Sequence, residues 1–280
     1  MLQTHDQDSG FARSTAVRRD HEGRLTAQLD GGWEVGGGIL NGGYLLAVAA
    51  RAAVLSSPHP HAVALAASYL RAGAAGPAHL QVTPGPTGRT LAHSTVVLAD
   101  EAGPVISVQA TTGTLDPGPQ TYTDDDTAPP SVTPVEDCID VAAAAAGGST
   151  VPGVVAPGLL AELDCRLDPA TAGWAVGAPA GEAVMRAWVR LADGRDPDPL
   201  SLVALLDCLP PSIWGAGTLG WAPTVQLQAL VRALPAPGWC LVESRTGQVA
   251  GGWIDEDYRV WDATGRLVAV SRQLARTPRP

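Results

Sequence analysis

Lysine is absent from this 280-residue sequence, in which all 18 basic residues are arginine. A chain without lysine cannot form a Schiff base through a lysine amine or bind a nucleotide phosphate with a P-loop lysine. The sequence has only four cysteines, at positions 138, 165, 208 and 240, and no two of them form a C-x-x-C pair. This spacing predicts neither a zinc site nor a dithiol redox site. We therefore expect no metal and no other cofactor.

Histidine is missing from the whole second half of the chain. The six histidines are at positions 5, 21, 59, 61, 79 and 93. A Ser-His-Asp or Cys-His site centred on the second half would have to take its histidine from the first half. Catalysis there would therefore depend on a carboxylate as the base.

Long apolar runs are missing too. No stretch approaches the roughly 20 apolar residues of a membrane-spanning helix. Met1–Gly10 is polar and acidic, without the apolar segment of a signal peptide. The net charge is −10 and the arginines are scattered, which disfavours binding to nucleic acid or to an anionic membrane. These features predict a soluble, cytoplasmic protein.

A short apolar run, Leu200–Leu206, is followed by Asp207 and then, after two more residues, by Pro210 and Pro211. Only Ser201 is polar within the run, so a helix here would be buried on all sides. The two prolines cannot continue a helix. Asp207 therefore lies where a buried helix ends, and a carboxylate in such a place is seldom without partners. Capping of a neighbouring turn is the plainer interpretation of an isolated Asp.

The first half contains a comparable helix. The Ala- and Leu-rich stretch 44–55 has helical propensity, and only Arg51 interrupts its apolar surface. Asn41 is a candidate N-cap, and Gly42 and Gly43 allow a backbone or a ligand to come close. A glycine-rich approach to a helix N-terminus can hold an anion, although such glycines more often serve close packing.

Runs rich in β-branched residues, separated by glycine or proline turns, indicate strands in both halves. They are a hairpin over 14–29, then 62–71, 78–83, 90–99 and 105–115, and in the second half 183–191, 224–234, 239–244, 248–260 and 267–276. The intervening composition predicts a linker and an irregular connector, in which the triplet Asp124–Asp126 is interpreted as a solvated loop. We divide the chain into an N-terminal repeat (1–115), this connector (116–158) and a C-terminal repeat (159–280).

The two halves share an internal similarity that indicates duplication. Asp100-Glu101-Ala102-Gly103 matches Asp262-Ala263-Thr264-Gly265 at an offset of 162, and Tyr69–Ala72 matches Leu230–Ala233 at 161. One apolar helix wrapped by an antiparallel sheet, present twice, predicts an α+β double hotdog fold. Pairing two such units covers the sheet edge and helix flank that one unit leaves open.

From about Ser14 to Arg276 the sequence resembles the type II (TesB-like) acyl-CoA thioesterases, which are double hotdogs. The similar motifs are Trp33 with Asn41–Tyr44, Ser68–Arg71, Asp198–Leu200 leading to Asp207, Trp221–Thr224, and Leu267–Gln273. In that family a helix Asp, a strand Ser or Thr, and a Gln on the last strand together hold the hydrolytic water. The resemblance implies these roles for Asp207, Thr224 and Gln273. Gln273 is followed by Leu-Ala, where many members carry Glu-Gly.

The chemistry of these residue types agrees with the resemblance. Without a nearby histidine, an Asp can polarise water directly, and a Thr hydroxyl with a Gln amide can orient it. A hotdog dehydratase, which relies on a histidine, is disfavoured. Thr224 or Gln273 taken alone would more often be strand surface.

The duplication also predicts one active site per chain. At offsets of 161 or 162, Leu45 or Leu46 lies opposite Asp207, Val63 opposite Thr224, and Thr111 opposite Gln273. The first repeat would then lack the base and would form a wall for the acyl chain. Candidate substrate-binding residues are the backbone of Asn41, Gly42 and Gly43, together with Trp214 and Trp221.

The sequence thus predicts an acyl-CoA thioesterase that acts on an acyl-CoA or an acyl-carrier thioester. The alternative is a non-catalytic acyl-CoA-binding or assembly protein of the same fold in lipid or polyketide metabolism. Because hotdog units tend to pair again through sheet edges or helix flanks, we also expect a homodimer or a higher homo-oligomer.

Overall fold

The structure, a computed structural model, describes residues 10–118, 120–146 and 157–278. Residues 1–9, on which the expectation of no signal peptide largely depends, and residues 147–156 of the connector lie outside the described residues. No helix in the described part of the chain is long and apolar enough to span a membrane.

Thirteen strands form one antiparallel sheet across the described residues. The strands are β1 (Val17–Arg19), β2 (Leu25–Leu29), β3 (His61–Tyr69), β4 (Gly76–Thr87), β5 (Leu91–Asp100), β6 (Gly103–Gly113), β7 (Ile139–Asp140), β8 (Leu163–Leu167), β9 (Val184–Leu191), β10 (Thr224–Val231), β11 (Cys240–Ala250), β12 (Trp253–Trp261) and β13 (Leu267–Arg276). The helices are α1 (Gly10–Ser14), α2 (Gly42–Leu55), α3 (Val141–Ala146), α4 (Pro157–Glu162) and α5 (Pro199–Leu205).

The strand order has a two-fold pattern. It runs β1-β2-β4-β5-β6-β3 and then β10-β13-β12-β11-β9-β8, with β7 added at the far edge. The two repeats join where β3 pairs antiparallel with β10, so that Ala67 lies opposite Leu227 and Leu65 opposite Ala229. Each repeat therefore contributes six strands in the same connectivity, and the predicted double hotdog architecture is confirmed.

The strand register corrects the sequence-based equivalences by one residue. Both repeats have a register irregularity at the start of the strand that follows the helix, at Ala62/Ala64 and at Thr224/Gln226. Superposing these irregularities gives an offset of 162 between the repeats. Ala62, not Val63, is therefore the residue of the first repeat that is equivalent to Thr224. Leu65 pairs with Ala110 just as its counterpart Leu227 pairs with Gln273, so Ala110, not Thr111, corresponds to Gln273.

The helices begin at a smaller offset than the strands, because the loops before them differ in length. The N-caps are Asn41, whose side chain accepts from Tyr44 N, and Asp198, whose side chain accepts from Ser201 N. Counting from these caps places Ala50, not Leu45 or Leu46, opposite Asp207. The first repeat thus has alanine at all three positions.

Both helices are buried as their sequences predict. In α2 the apolar residues from Tyr44 to Ala53 are almost fully buried against the first half of the sheet. In α5 the Asp198–Ser201 capping box and Pro199 at the first helical position fix the start, and the helix ends at the C-cap Leu206. Asp207 comes directly after that end.

Several local features differ from the sequence predictions, among them the strand β8 (Leu163–Leu167), which was not predicted. The segment 14–16 precedes the first strand, and Ser14 ends the short helix α1. The strand β11 continues through Gly247 to Ala250, because the turn is made by Gly251 and Gly252, both with positive φ. The segment assigned to a linker and irregular connector carries the edge strand β7, which pairs with β8, and the helix α3.

The two helices are in close contact at Gly43. A Cβ atom at this position would lie 2.6 Å from the carbonyl oxygen of Ala204 and 3.0 Å from the Cβ of Asp207. No side chain fits between a helix and a backbone oxygen at that distance. Gly43 is therefore required for α2 to pack on α5.

We predict that Gly43→Ala destabilises the protein by about 1–3 kcal/mol, because the overpacking outweighs the better helix propensity of alanine. Chemical denaturation measures the free energy of unfolding. Gly247→Ala is the matched control, since a Cβ there meets nothing within 4 Å. Equal stability of the two variants would contradict the close approach.

Candidate active site

A cavity of about 780 Å³ lies between the two repeats and receives residues from both. Its walls include Val35, Ile39, Leu40, Asn41, Gly42, Leu45 and Tyr69 from the first repeat, Leu159 and Leu160 from the start of the second, and Asp207, Trp214, Trp221, Thr224, Glu256, Tyr258 and Gln273 beyond them. The lining is largely apolar and includes a few polar side chains, among them Asp207, Thr224, Glu256 and Gln273. Such a lining suits an elongated apolar ligand with one reactive polar group.

Asp207 is held at the cavity wall by the N-terminus of the opposite repeat's helix. Its side-chain Oδ2 accepts a hydrogen bond of 2.9 Å from Gly43 N, and its backbone carbonyl oxygen accepts one of 2.7 Å from Asn41 Nδ2. Asn41 at the same time caps α2 through Tyr44 N at 2.8 Å. One asparagine therefore fixes both the start of α2 and the end of α5.

The surroundings of Asp207 favour its neutral form. Burial raises the pKa of this carboxyl to about 7, and the nearby charge of Glu256 acts in the same direction. The N–H groups of Gly43 and Gly42 oppose these effects by stabilising the anion. A carboxylate with a pKa near neutrality can take up and release a proton under physiological conditions.

Thr224 and Gln273 lie beside each other in the cavity. Thr224 Oγ1 donates to Gln273 Oε1 at 2.9 Å, and Gln273 Nε2 donates to Glu256 Oε2. The Thr224–Gln273 hydrogen bond joins the start of β10 to β13, and the Gln273–Glu256 hydrogen bond joins β13 to β12. The structure thus brings Asp207, Thr224 and Gln273 to one cavity, and their catalytic roles stay predictions.

The predicted substrate-binding residues occupy the same region. Asn41, Gly42, Trp214 and Trp221 line the cavity, whereas the N–H of Gly43 is used by Asp207. Trp214 is buried, donates from Nε1 to Gly220 O at 3.0 Å and meets Trp174 edge to face at 5.2 Å. Trp221 is 53% exposed at the cavity mouth. Contact of these residues with substrate stays a prediction.

Sequence reasoning missed Glu256 and Tyr69 as site residues. The sequence contained a signal for Glu256, because this residue lies on the same buried face of β12 as Ile254, Tyr258 and Val260. An acid in such a register must have polar partners inside the protein. Tyr69 lies at the end of β3, and its hydroxyl donates to Gly42 O at 2.9 Å. It therefore supports the start of α2, which holds Asp207.

The acidic triplet behaves as a local turn. Asp124 accepts from Asp126 N at 3.0 Å and caps a single 3₁₀ turn. Among the described residues, no three His, Cys, Asp or Glu side chains are grouped so that they could hold a metal ion.

Comparison with known proteins assigns both repeats. The N-terminal domain pattern of the acyl-CoA thioesterases matches residues 29–113, and the C-terminal domain pattern matches residues 135–277. The second match begins within the segment that we assigned to the connector, and the boundaries at 115 and 158 stay predictions.

Solved structures share the whole fold. A candidate thioesterase II from Thermobifida fusca is 33% identical, with a TM-score of 0.85 over 97% of this chain and 98% of that one. A hotdog-fold protein of unknown function from Alicyclobacillus acidocaldarius has a TM-score of 0.80 at 20% identity, over 96% and 98% of the two chains. The second likeness concerns the fold alone.

An uncharacterized protein of Mycobacterium tuberculosis is 41% identical over 95 residues. That stretch spans 34% of this chain and about a third, 32%, of the length of the curated relative. The two domain patterns, together with the two-fold sheet and the cavity between its halves, show that the chain belongs to the acyl-CoA thioesterase family, a family of thioester hydrolases.

Proposed function

We propose that this protein hydrolyses an acyl thioester of coenzyme A or of an acyl carrier in the cavity between its repeats. The observation that supports this most directly is Asp207, held at the wall of that cavity with its pKa raised to about 7. The membership in a family of thioester hydrolases supports the same reaction class.

In the proposed reaction, Asp207 accepts a proton from a water molecule whose oxygen attacks the thioester carbonyl carbon. Thr224 and Gln273 orient that water. The tetrahedral intermediate collapses with breakage of the carbon–sulfur bond, and the thiolate takes the proton back from Asp207. The products are a carboxylic acid and a free thiol, and the enzyme is restored.

The acyl chain is placed along the apolar walls of the cavity. The apolar lining comes from Val35, Ile39 and Leu45 of the first repeat, from Leu159 and Leu160, and from Trp214 and Trp221. The backbone of Asn41, Gly42 and Gly43 would border the reacting carbonyl, because it already meets Asp207 there.

The test is thiol release from a panel of acyl-CoA esters, from acetyl to palmitoyl. Hydrolysis of some members supports the proposal. Binding without thiol release would favour the alternative of an acyl-CoA-binding protein, and absence of binding would favour an assembly protein.

Asp207→Asn should lower kcat about 100-fold or more with little change in KM, because the amide cannot accept the proton. The matched control is Asp125→Asn, the same change at an exposed carboxylate. The measurement is steady-state thiol release. A residual rate near half of the wild type would reveal a second working site, which the alanines of the first repeat exclude in our proposal.

The pH profile tests the protonation state. Since Asp207 acts as a base in the proposed mechanism, the enzyme is active when this carboxyl is ionised. Its raised pKa therefore moves the acidic limb of the pH profile to higher pH. We expect kcat/KM to increase about tenfold per pH unit below about pH 7 and to level off above it. An N-acetylcysteamine thioester avoids the titrating phosphates of coenzyme A. A plateau that extends down to about pH 5 would contradict the role of Asp207.

The predicted homo-oligomer remains part of the proposal, through a sheet face or a helix flank rather than an edge. The two edge strands, β1 and β7, have three and two residues, and such short edges pair poorly. We expect light scattering to give twice the mass of one chain. The mass of a single chain, constant over a wide concentration range, would contradict it.

A further inference from the structure

Glu256 is 2% exposed and lines the same cavity as Asp207, Thr224 and Gln273. Its Oε1 accepts two hydrogen bonds of 2.7 Å, from Ser212 N and from Ser244 Oγ. Its Oε2 faces Gln273 Nε2 within hydrogen-bonding distance. Three donors thus converge on one buried carboxylate.

These contacts determine which group donates in the two hydrogen bonds that connect Glu256 to Gln273 and Gln273 to Thr224. An ionised carboxylate can only accept. If the Gln273 amide were turned over, its Oε1 would face Glu256 Oε2 with no hydrogen between them, which is unfavourable in a buried site. Gln273 must therefore point Nε2 towards Glu256 and Oε1 towards Thr224.

The same constraint passes on to Thr224. Its hydroxyl lies 2.9 Å from Gln273 Oε1, which can only accept, so the hydroxyl hydrogen is committed to Gln273. What Thr224 offers to the cavity is the set of lone pairs on its oxygen. A water that contacts it must donate.

We propose that Glu256 is a positioning residue that orients the attacking water by fixing the polarity of the Glu256–Gln273–Thr224 hydrogen bonds. A water held between Asp207 and Thr224 then donates one hydrogen to each of them. Both lone pairs of its oxygen are left free, and one of them attacks the thioester carbon. The hydrogen on the Asp207 side is the proton that is transferred. This inference rests on the function proposed above.

Glu256 acts on Asp207 through its charge as well. After burial, the proximity of Glu256 is the next cause of the raised pKa of Asp207. Three further titratable groups of the described residues interact with this carboxyl: Tyr69 at the end of β3, Tyr258 on β12 and the neighbouring Cys208. Burial raises their pKa values, and the charge of Asp207 raises them further. These three are neutral at pH 7, so Glu256 is the charged neighbour among them.

Glu256→Gln is the decisive variant because it keeps the shape and reverses the polarity. Its Oε1 would still accept from Ser212 and Ser244, and its new NH₂ would face Gln273. Gln273 would have to turn its Oε1 towards residue 256 and its NH₂ towards Thr224. The Thr224 hydroxyl would then be free to donate to water. We expect kcat to fall about tenfold or more while KM changes less than about twofold.

The pH profile separates this role from a purely structural one. Removal of the negative charge at position 256 favours ionised Asp207, so the acidic limb of kcat/KM should move to lower pH. Asp257→Asn is the matched control: it removes one charge from the neighbouring position on β12, whose side chain is 52% exposed. That variant should keep both kcat and the position of the limb.

Glu256→Asp separates charge from geometry. It keeps the charge, so its limb should stay in place, but its shorter side chain cannot hold Gln273, so kcat should fall. If Glu256→Gln does not fold, the kcat of Glu256→Asp decides the question. A wild-type kcat in whichever of these two variants folds overturns the role of Glu256.

The two proposals fail in different ways. If the wild-type protein hydrolyses thioesters and Asp207→Asn does not, a wild-type kcat in the Glu256 variants counts against the role of Glu256 alone. If wild-type protein releases no thiol, the proposed function itself fails.

Discussion

The hydrogen bond from Gly43 N to the Asp207 carboxylate is the interaction on which the remaining site depends. It exists only because α2 and α5 approach so closely that no Cβ fits at Gly43. The same contact joins the two repeats, stabilises the ionised form of Asp207 and leaves the acid against a partly apolar cavity. Packing between the repeats and the acid–base chemistry that we propose for the cavity therefore have one structural origin.

The balance at Asp207 results from opposing effects. Burial and the charge of Glu256 disfavour ionisation, whereas the N–H groups at the start of α2 favour it. The outcome is a pKa near 7. In the proposed mechanism the carboxylate is therefore the base, and no histidine is needed from the second half of the sequence, which has none. Glu256 takes part in two ways, by its charge towards Asp207 and by its hydrogen bond to Gln273.

Much of this was predictable from the sequence. The helices at 42–55 and 199–205 follow from apolar composition and capping residues, and the duplication follows from the matched Asp–Gly turns. The equivalence given for Thr224 was wrong by one residue. The match of Tyr69–Ala72 to Leu230–Ala233 gives an offset of 161, whereas the strand register gives 162. Glu256 was missed although its place on the apolar face of β12 was visible in the sequence. Its partners Ser212, Ser244 and Gln273 lie on other elements, and only the tertiary fold brings them together.

The unequal repeats have an evolutionary implication. In a symmetric assembly of two identical hotdog chains, any residue that faces the partner must serve both copies. Fusion into one chain removes that constraint: alanine can occupy positions 50, 62 and 110 while Asp207, Thr224 and Gln273 occupy the corresponding positions. Gly43 and Asp207 then constrain each other across the join, so drift in the half without the base is limited by the half that has it.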